Sequence, residues 1–243
     1  MFRSEFSCQQ SIIGFDRQLP ATIMDVEFQY SESLRRLPWP VVLGLVTVRG
    51  VDPAALEAAL SSAQRSISFG DPGPSVMRRI QAFESFFTQN GFHSPLADQL
   101  KHVQKKGLPN GSPLIKALLL SEMSTGTLMG AQDAAAVKGS LVCDLAEEGE
   151  TFGGMRAEVL CRKGEIVLRD SEGIIATLFQ GPDRRTRLNK DTKDVVFFIF
   201  SVPGISDADV KEGVETVRSL FKAACTEIYA QVHEKSAGGE FKP

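Results

Sequence analysis

The chain is poor in the residues that staple small folds or carry the common catalytic chemistries: its 243 residues include four cysteines, three histidines, one tryptophan and two tyrosines. Cys8, Cys143, Cys161 and Cys225 lie far apart, form no C-x-x-C pair and have no histidine at ligand spacing. They are expected to be reduced and mostly buried, with no metal site and no disulfide framework. A chain of this length can bury enough apolar surface to fold without such crosslinks. Long hydrophobic runs are also missing. The longest, residues 41–48 and 195–200, are of strand length, far from the roughly 20 residues of a membrane span. The first residues, Met1-Phe2-Arg3-Ser4-Glu5, lack the basic-then-apolar layout of a signal peptide, which predicts a cytoplasmic location and no membrane partner. An excess of one charge is absent too: 27 basic residues oppose 30 acidic ones, for a net charge of −3. Attraction to a polyanion is therefore not a property of the whole surface, and any nucleic-acid contact must be local. Finally, there is no G-x-S-x-G elbow, no P-loop and no G-x-G-x-x-G after a strand, so acyl-enzyme and nucleotide-cofactor chemistry have no motif behind them.

What is present is ordinary globular composition, 42% hydrophobic and 23% charged, with clear local patterns. Residues 24–51 read as two strands, through the alternation of Val26, Phe28 and Tyr30 and the β-branched run from Val41, parted by Pro38-Trp39-Pro40. Asp52-Pro53 starts a helix carrying Leu56, Ala59 and Leu60, which must end before the break Gly70-Asp71-Pro72-Gly73-Pro74. A second helix over 75–89 buries Val76, Ile80, Phe83, Phe86 and Phe87 and stops at Asn90-Gly91. A third opens at Ser94-Pro95, uses Leu96, Leu100 and Val103, and closes at Lys105-Lys106-Gly107. Residues 114–123 are apolar on nearly every side and predict a buried helix. From Ser140 the texture turns to short strands, over 141–145, 158–161, 166–169, 174–179 and 195–200. A last helix is expected from Asp207 to about Val232, with Leu220, Ala224, Ile228 and Tyr229 on one face. This order favours an α+β fold over an alternating βαβ one. The expected organisation is an N-terminal arm over 1–22, a single domain over 23–234 and a flexible tail over 235–243.

Two polar concentrations stand out. Glu147-Glu148-Gly149-Glu150 reads as an acidic turn between strands. The segment 183–193 carries Arg184, Arg185, Arg187, Lys190 and Lys193; it either grips phosphates or is a solvated loop with internal Asp–Arg pairs. His93, His102 and His233 fall near helix ends or tails, where solvated or capping roles suffice. Trp39, between two prolines, is read as packing, with an exposed interaction surface as the other possibility.

Residues 113–133, PLIKALLLSEMSTGTLMGAQD, are followed by Val137-Lys138-Gly139, by Ala146-Glu147-Glu148-Gly149-Glu150 and by Asp170-Ser171-Glu172-Gly173-Ile174. This collinear set resembles the tRNA-binding and editing domain of the phenylalanyl-tRNA synthetase β subunit, and more closely its stand-alone relatives. Those relatives are also similar at Ile80-Gln81-Ala82-Phe83, Asn90-Gly91-Phe92, residues 109–113, Arg185-Thr186 and Thr192. The resemblance covers about residues 20–225 and is most specific between 109 and 194.

The resemblance implies an α+β unit with a compact mixed, sandwich-like sheet core beside helices. It implies a tRNA or aminoacyl-tRNA partner, no cofactor, and hydrolysis of the ester of a mischarged amino acid. Such cleavage needs a held water, backbone N–H groups at the oxyanion and the ribose hydroxyl rather than a triad. Carried over by position, Gly126, Gly130 and Asp133 shape one wall of the substrate pocket and Gln180 and Gly181 the other. Gly126 and Gly130 also read as a helix cap and a turn, and Gln180 as a strand-end amide. The tRNA backbone would meet Arg184, Arg185, Arg187, Lys190, Lys105 and Lys106. Leu119, Gly130, Asp144 and Phe198 depart from the synthetase pattern, which has Asn, His, Arg and Glu there. The alternative is therefore a non-catalytic module binding tRNA or a free amino acid in the same pocket.

Overall fold

The computed structural model describes residues 27–66 and 71–235. Strand β1 (Phe28–Tyr30) leads through a 3-10 turn (Glu32–Arg36) to β2 (Val41–Arg49). Four helices follow: α1 (Pro53–Ser66), α2 (Pro74–Gln89), α3 (Pro95–Lys106) and α4 (Pro113–Thr125). Then come β3 (Met129–Asp133), β4 (Leu141–Leu145), β5 (Thr151–Gly153), β6 (Glu158–Leu160), β7 (Ile166–Asp170), β8 (Gly173–Thr177), β9 (Gly181–Pro182) and β10 (Val195–Phe200). Helix α5 (Asp207–Phe221) and strand β11 (Glu227–Lys235) complete the order. The fold is α+β. Among the described residues the strands form a sheet β1-β4-β7-β8-β9, a sheet β11-β2-β10-β3 and the hairpin β5-β6.

The continuous apolar runs of β2 and β10 are explained by their central places. A strand covered on both faces has no solvent side on which to alternate polar residues, and no residue of β10 is more than 3% exposed. Helix α5 covers one face of this sheet. A Cβ on Gly44 would lie 2.6 Å from Val214 Cγ2, so the helix occupies the space a β2 side chain would need. The other face, bearing Leu45, Phe198 and Gly130, turns toward the second sheet. Gln132 of β3 donates from Nε2 to the Ile175 carbonyl of β8 at 2.8 Å, tying the two sheets together.

The helices start where proline and capping chemistry permit. Pro74, Pro95 and Pro113 open α2, α3 and α4, where a missing N–H costs nothing. Ser206 and Asp209 form a capping box on α5. Asp209 also accepts from Arg79 Nε at 2.7 Å and Arg78 Nη2 at 2.6 Å. Arg79 reaches on to Glu212 and to the Thr125 carbonyl, so one ion network joins α2, the end of α4 and α5. Burial alone would raise the Asp209 carboxyl, but its arginine and Ser206 partners together hold it well below the usual range.

Several expectations are corrected. The last helix does not reach Val232: α5 ends at Phe221, and residues 227–235 form β11 along the edge of β2, from Glu227 opposite Arg49 to Lys235 opposite Val41. The local pattern of Ile228, Ala230 and Val232 also fits a period of two, and the open edge of β2 decides between the periods. Lys235 thus belongs to a strand rather than to the tail. Gly130, read as a turn glycine, lies instead within β3, which pairs with β10. Strand β8 stops at Thr177, before Phe179. The expected arm over 1–22, Cys8, the strand start before Glu27, Gly70 and the tail after Lys235 lie outside the described residues. No helix among the described residues is long and apolar enough to cross a membrane.

Candidate functional site

A cavity of about 300 Å³ opens between the inner faces of the two large sheets. Helix α4 contributes Ile115, Leu118 and Glu122 to it, and β3 with β10 contributes Gly130, Phe198 and Phe200. Leu178, Phe179 and Gly181, from the end of β8 to the start of β9, line it as well, and Gln99 enters from α3. Met155, Ile115 and Arg187 are lining residues exposed to solvent, and they mark the open side.

Two of the five expected pocket residues meet here. Gly130 has a local necessity: a Cβ at this position would sit 1.9 Å from Phe198 Cε2. The Phe198 ring lies over the β3 backbone and becomes the wall of the cavity. Gly181 has φ +84°, and a Cβ there would meet nothing beyond its chain neighbours within 4 Å, so its glycine serves the backbone turn rather than close packing. The other three stand apart from the cavity lining. Gly126 is the left-handed cap of α4, and its missing Cβ makes room for the Val76 carbonyl at 2.5 Å. Asp133 accepts from Thr192 Oγ1 at 2.7 Å, Asn189 Nδ2 at 3.1 Å and the Ala135 N–H at 3.0 Å; it organises the basic loop. Gln180 donates to Glu165 Oε2 at 2.9 Å and to the Leu160 carbonyl at 3.2 Å.

The basic loop between β9 and β10 is divided in its roles. Arg185 is committed internally, to Asp170 at 2.8 Å, Glu172 at 3.3 Å, Asp183 at 3.7 Å and the Ala136 carbonyl at 3.0 Å. Arg187 donates to the Arg184 carbonyl at 2.8 Å and remains exposed beside the cavity. Arg184 and Lys190 are exposed on the same loop, and Lys105 and Lys106 are exposed at the end of α3. Asp144, at a departure from the synthetase pattern, pairs with Arg169 at 3.0 Å and accepts from Ser33 Oγ at 2.5 Å.

Sequence reasoning missed Glu122 and Gln99. Glu122 is 3% exposed and its Oε1 accepts from the Met129 N–H at 3.1 Å. Burial pushes its carboxyl up to about 8, and that single N–H offsets only part of the effect. Gln99 Oε1 is buried with no hydrogen-bond partner among the described residues. The signal in the sequence is that α4 carries only two charged residues, Lys116 and Glu122; in the structure Lys116 pairs with Glu57 at 2.7 Å, and Glu122 has no counter-ion among the described residues. His233, expected near a tail, lies in β11 against the Phe28 ring, where burial lowers its pKa. His93 pairs with Asp98 at 2.8 Å at the surface. Cys143 and Cys161 are buried free thiols, the latter pushed up to about 11 by burial and the nearby Glu165 and Glu150.

No family model and no curated protein matches this sequence. Among solved structures, the chain is similar to an N-terminal fragment of the phenylalanyl-tRNA synthetase β subunit from Pyrococcus horikoshii, with a TM-score of 0.43 and 12% identity. The match covers 86% of this chain and 50% of that one, so the chain spans about half the fragment's length.

Proposed function

We propose that the cavity receives the aminoacyl end of a tRNA and that the protein hydrolyses its ester, acting in trans as an editing-type hydrolase. The observation that carries this reading is that Gly130 and Gly181, both assigned to the substrate pocket by the motif resemblance, line one largely apolar cavity. A side chain entering between Phe198 and Phe179 would leave the ester near the open side, where Arg187 stands. The chemistry would rest on positioning of a water, on backbone donors and on the substrate's own ribose hydroxyl. Arg184, Arg187 and Lys190 would contact phosphates without reading sequence; Arg185, held by its carboxylates, would not.

The decisive experiment is deacylation of a panel of aminoacyl-tRNAs by the purified protein at low salt. Selective ester loss for one amino acid is the expected result. A second reading, binding without turnover, is favoured by Phe198, which places an aromatic ring in the wall where the synthetase pattern carries a glutamate. Retained binding of aminoacyl-tRNA or amino acid with no ester loss on any substrate would replace the first reading with the second.

A further inference from the structure

The cavity lining is apolar apart from Gln99, Glu122, Thr177 and Arg187, and the first two have acceptor capacity that the protein does not fill. Glu122, on α4, accepts one hydrogen bond, from the Met129 N–H, and is 3% exposed. Gln99, on the neighbouring α3, has a buried Oε1 with no partner among the described residues. Both line the same cavity. A buried acceptor left unpaired costs about 1–3 kcal/mol, which a ligand bringing a donor to it would recover. A hydroxyl brings one hydrogen and can satisfy one of the two acceptors. A primary amine in its ammonium form brings three and can satisfy both.

We infer that the cavity selects a primary amine carried on an apolar body, with Glu122 as the counter-ion and Gln99 as the second acceptor. This deepens the reading of the cavity as the aminoacyl site and rests on the cavity being a ligand site, since every unmodified aminoacyl ester except the prolyl one carries such an amine. The walls of Leu118, Phe198 and Phe179 take the apolar part. A charge pair of this kind is favourable in an apolar site only when both members are also hydrogen-bonded, and the Met129 N–H and Gln99 supply those bonds. Arg187 is the other ionisable residue lining the cavity, on its exposed side. Arg79, which reaches the last carbonyl of α4, is already neutralised by Asp209 and Glu212.

The test uses probes that share one carbon skeleton, 2-phenylethylamine and 2-phenylethanol, titrated calorimetrically into the full chain over a pH series. The amine is expected to bind at least about tenfold tighter than the alcohol near pH 8, because the pair needs an ionised carboxyl. Its affinity should rise toward tenfold per pH unit below the Glu122 pKa of about 8 and level off above it. Glu122→Gln should abolish both the preference and the pH dependence, whereas Gln99→Leu should weaken amine binding and leave the pH dependence in place. If Glu122→Gln does not fold, the pH series of the unmodified chain and the Gln99→Leu titration decide the matter. Equal affinities for the two probes, a preference that survives Glu122→Gln, or no binding of either probe overturns the inference. Ester cleavage of aminoacyl-tRNA without amine preference would remove the inference and leave the hydrolase; amine preference without cleavage would do the reverse.

Discussion

Replacing Glu122 by glutamine should change the shape of the stability curve against pH, and the structure sets its size. An ordinary glutamate ionises near 4.5, and in the folded chain this one is pushed up to about 8. Between those values the unfolded chain releases the proton while the native state keeps it. The sign follows from the proton count: a carboxyl whose pKa is raised on folding contributes its full stability below pH 4.5 and loses it as the pH climbs through about 8. Each unit is worth about 1.4 kcal/mol. Over the whole window the loss from this one group is on the order of 4–5 kcal/mol, a large share of the roughly 5–15 kcal/mol that holds a domain together.

Glutamine keeps the acceptor that the Met129 N–H uses and removes the charge. It also introduces an amide N–H₂ into the cavity, at a cost of about 1–3 kcal/mol that does not vary with pH. The quantity to read is therefore the difference curve, variant minus parent, from urea unfolding at a series of pH values and fixed ionic strength. It should rise by several kcal/mol between about pH 5 and pH 8.5, whatever its absolute offset. Asp209, held low by Arg78 and the Ser206 cap, loses its contribution only as the pH falls below the ordinary aspartate range, outside this window. A difference curve that stays flat within about 0.5 kcal/mol across the window would refute the reasoning: the carboxyl would then be solvated in the cavity, and its burial without a counter-ion would have no energetic meaning.

Three further outcomes follow from contacts at the cavity and in the basic loop. Gly130→Val should destabilise the fold by about 1–3 kcal/mol, because the new Cβ would sit 1.9 Å from Phe198 Cε2. Adding Phe198→Leu should recover part of that loss, and a single variant with an unchanged urea midpoint would show that the ring does not lie over β3. Arg187→Ala should lower the slope of log affinity for tRNA against log salt by about 1 at unchanged stability. Arg185→Ala should instead cost stability through the buried Asp170 and Asp183 carboxylates it serves and leave the slope alone. Equal slopes in Arg187→Ala and the parent protein would remove that arginine from the tRNA surface.

The elements legible in the sequence are those whose neighbours agree with their local pattern. Helices α2 and α3 announce themselves through a proline start, a spaced apolar face and a glycine or asparagine stop, and they run where these signals place them. β10 is legible for the opposite reason, its apolar run being too short for anything but a strand buried on both faces. β11 and β3 are not legible, because both depend on partners distant in sequence. Residues 227–235 satisfy a helical period and a strand period, and only the edge of β2 chooses between them. Met129 to Asp133 hold too few apolar side chains to signal a strand, and Gly130 is there because a phenylalanine far along the chain lies on it. The site shows the same division. Gly130 and Gly181, which motif order assigns to a pocket, line the cavity, while Asp133 and Arg185 have the chemistry of a binding site and are spent on building the loop. No local signal separates a carboxylate that binds a ligand from one that binds its own backbone.

Glu122 joins these two roles in one side chain, and that decides how it must be tested. Helix α4 ends at the left-handed Gly126, and the chain enters β3 only a few residues later. At that entry the Met129 N–H is answered by Glu122 Oε1 rather than by a strand partner. The carboxyl therefore stabilises the α4–β3 junction whether or not a ligand ever enters. Truncation to alanine would lose the junction bond, the charge and the volume together, and a loss of binding in that variant would say nothing about which had mattered. Glutamine preserves the bond and the volume and removes the ionisation, its added amide N–H₂ contributing an offset that does not vary with pH. If amine binding and the pH slope of stability disappear together in Glu122→Gln while the fold persists, one ionisation governs both. Retention of either one would show that the charge and the cavity are independent features of the fold.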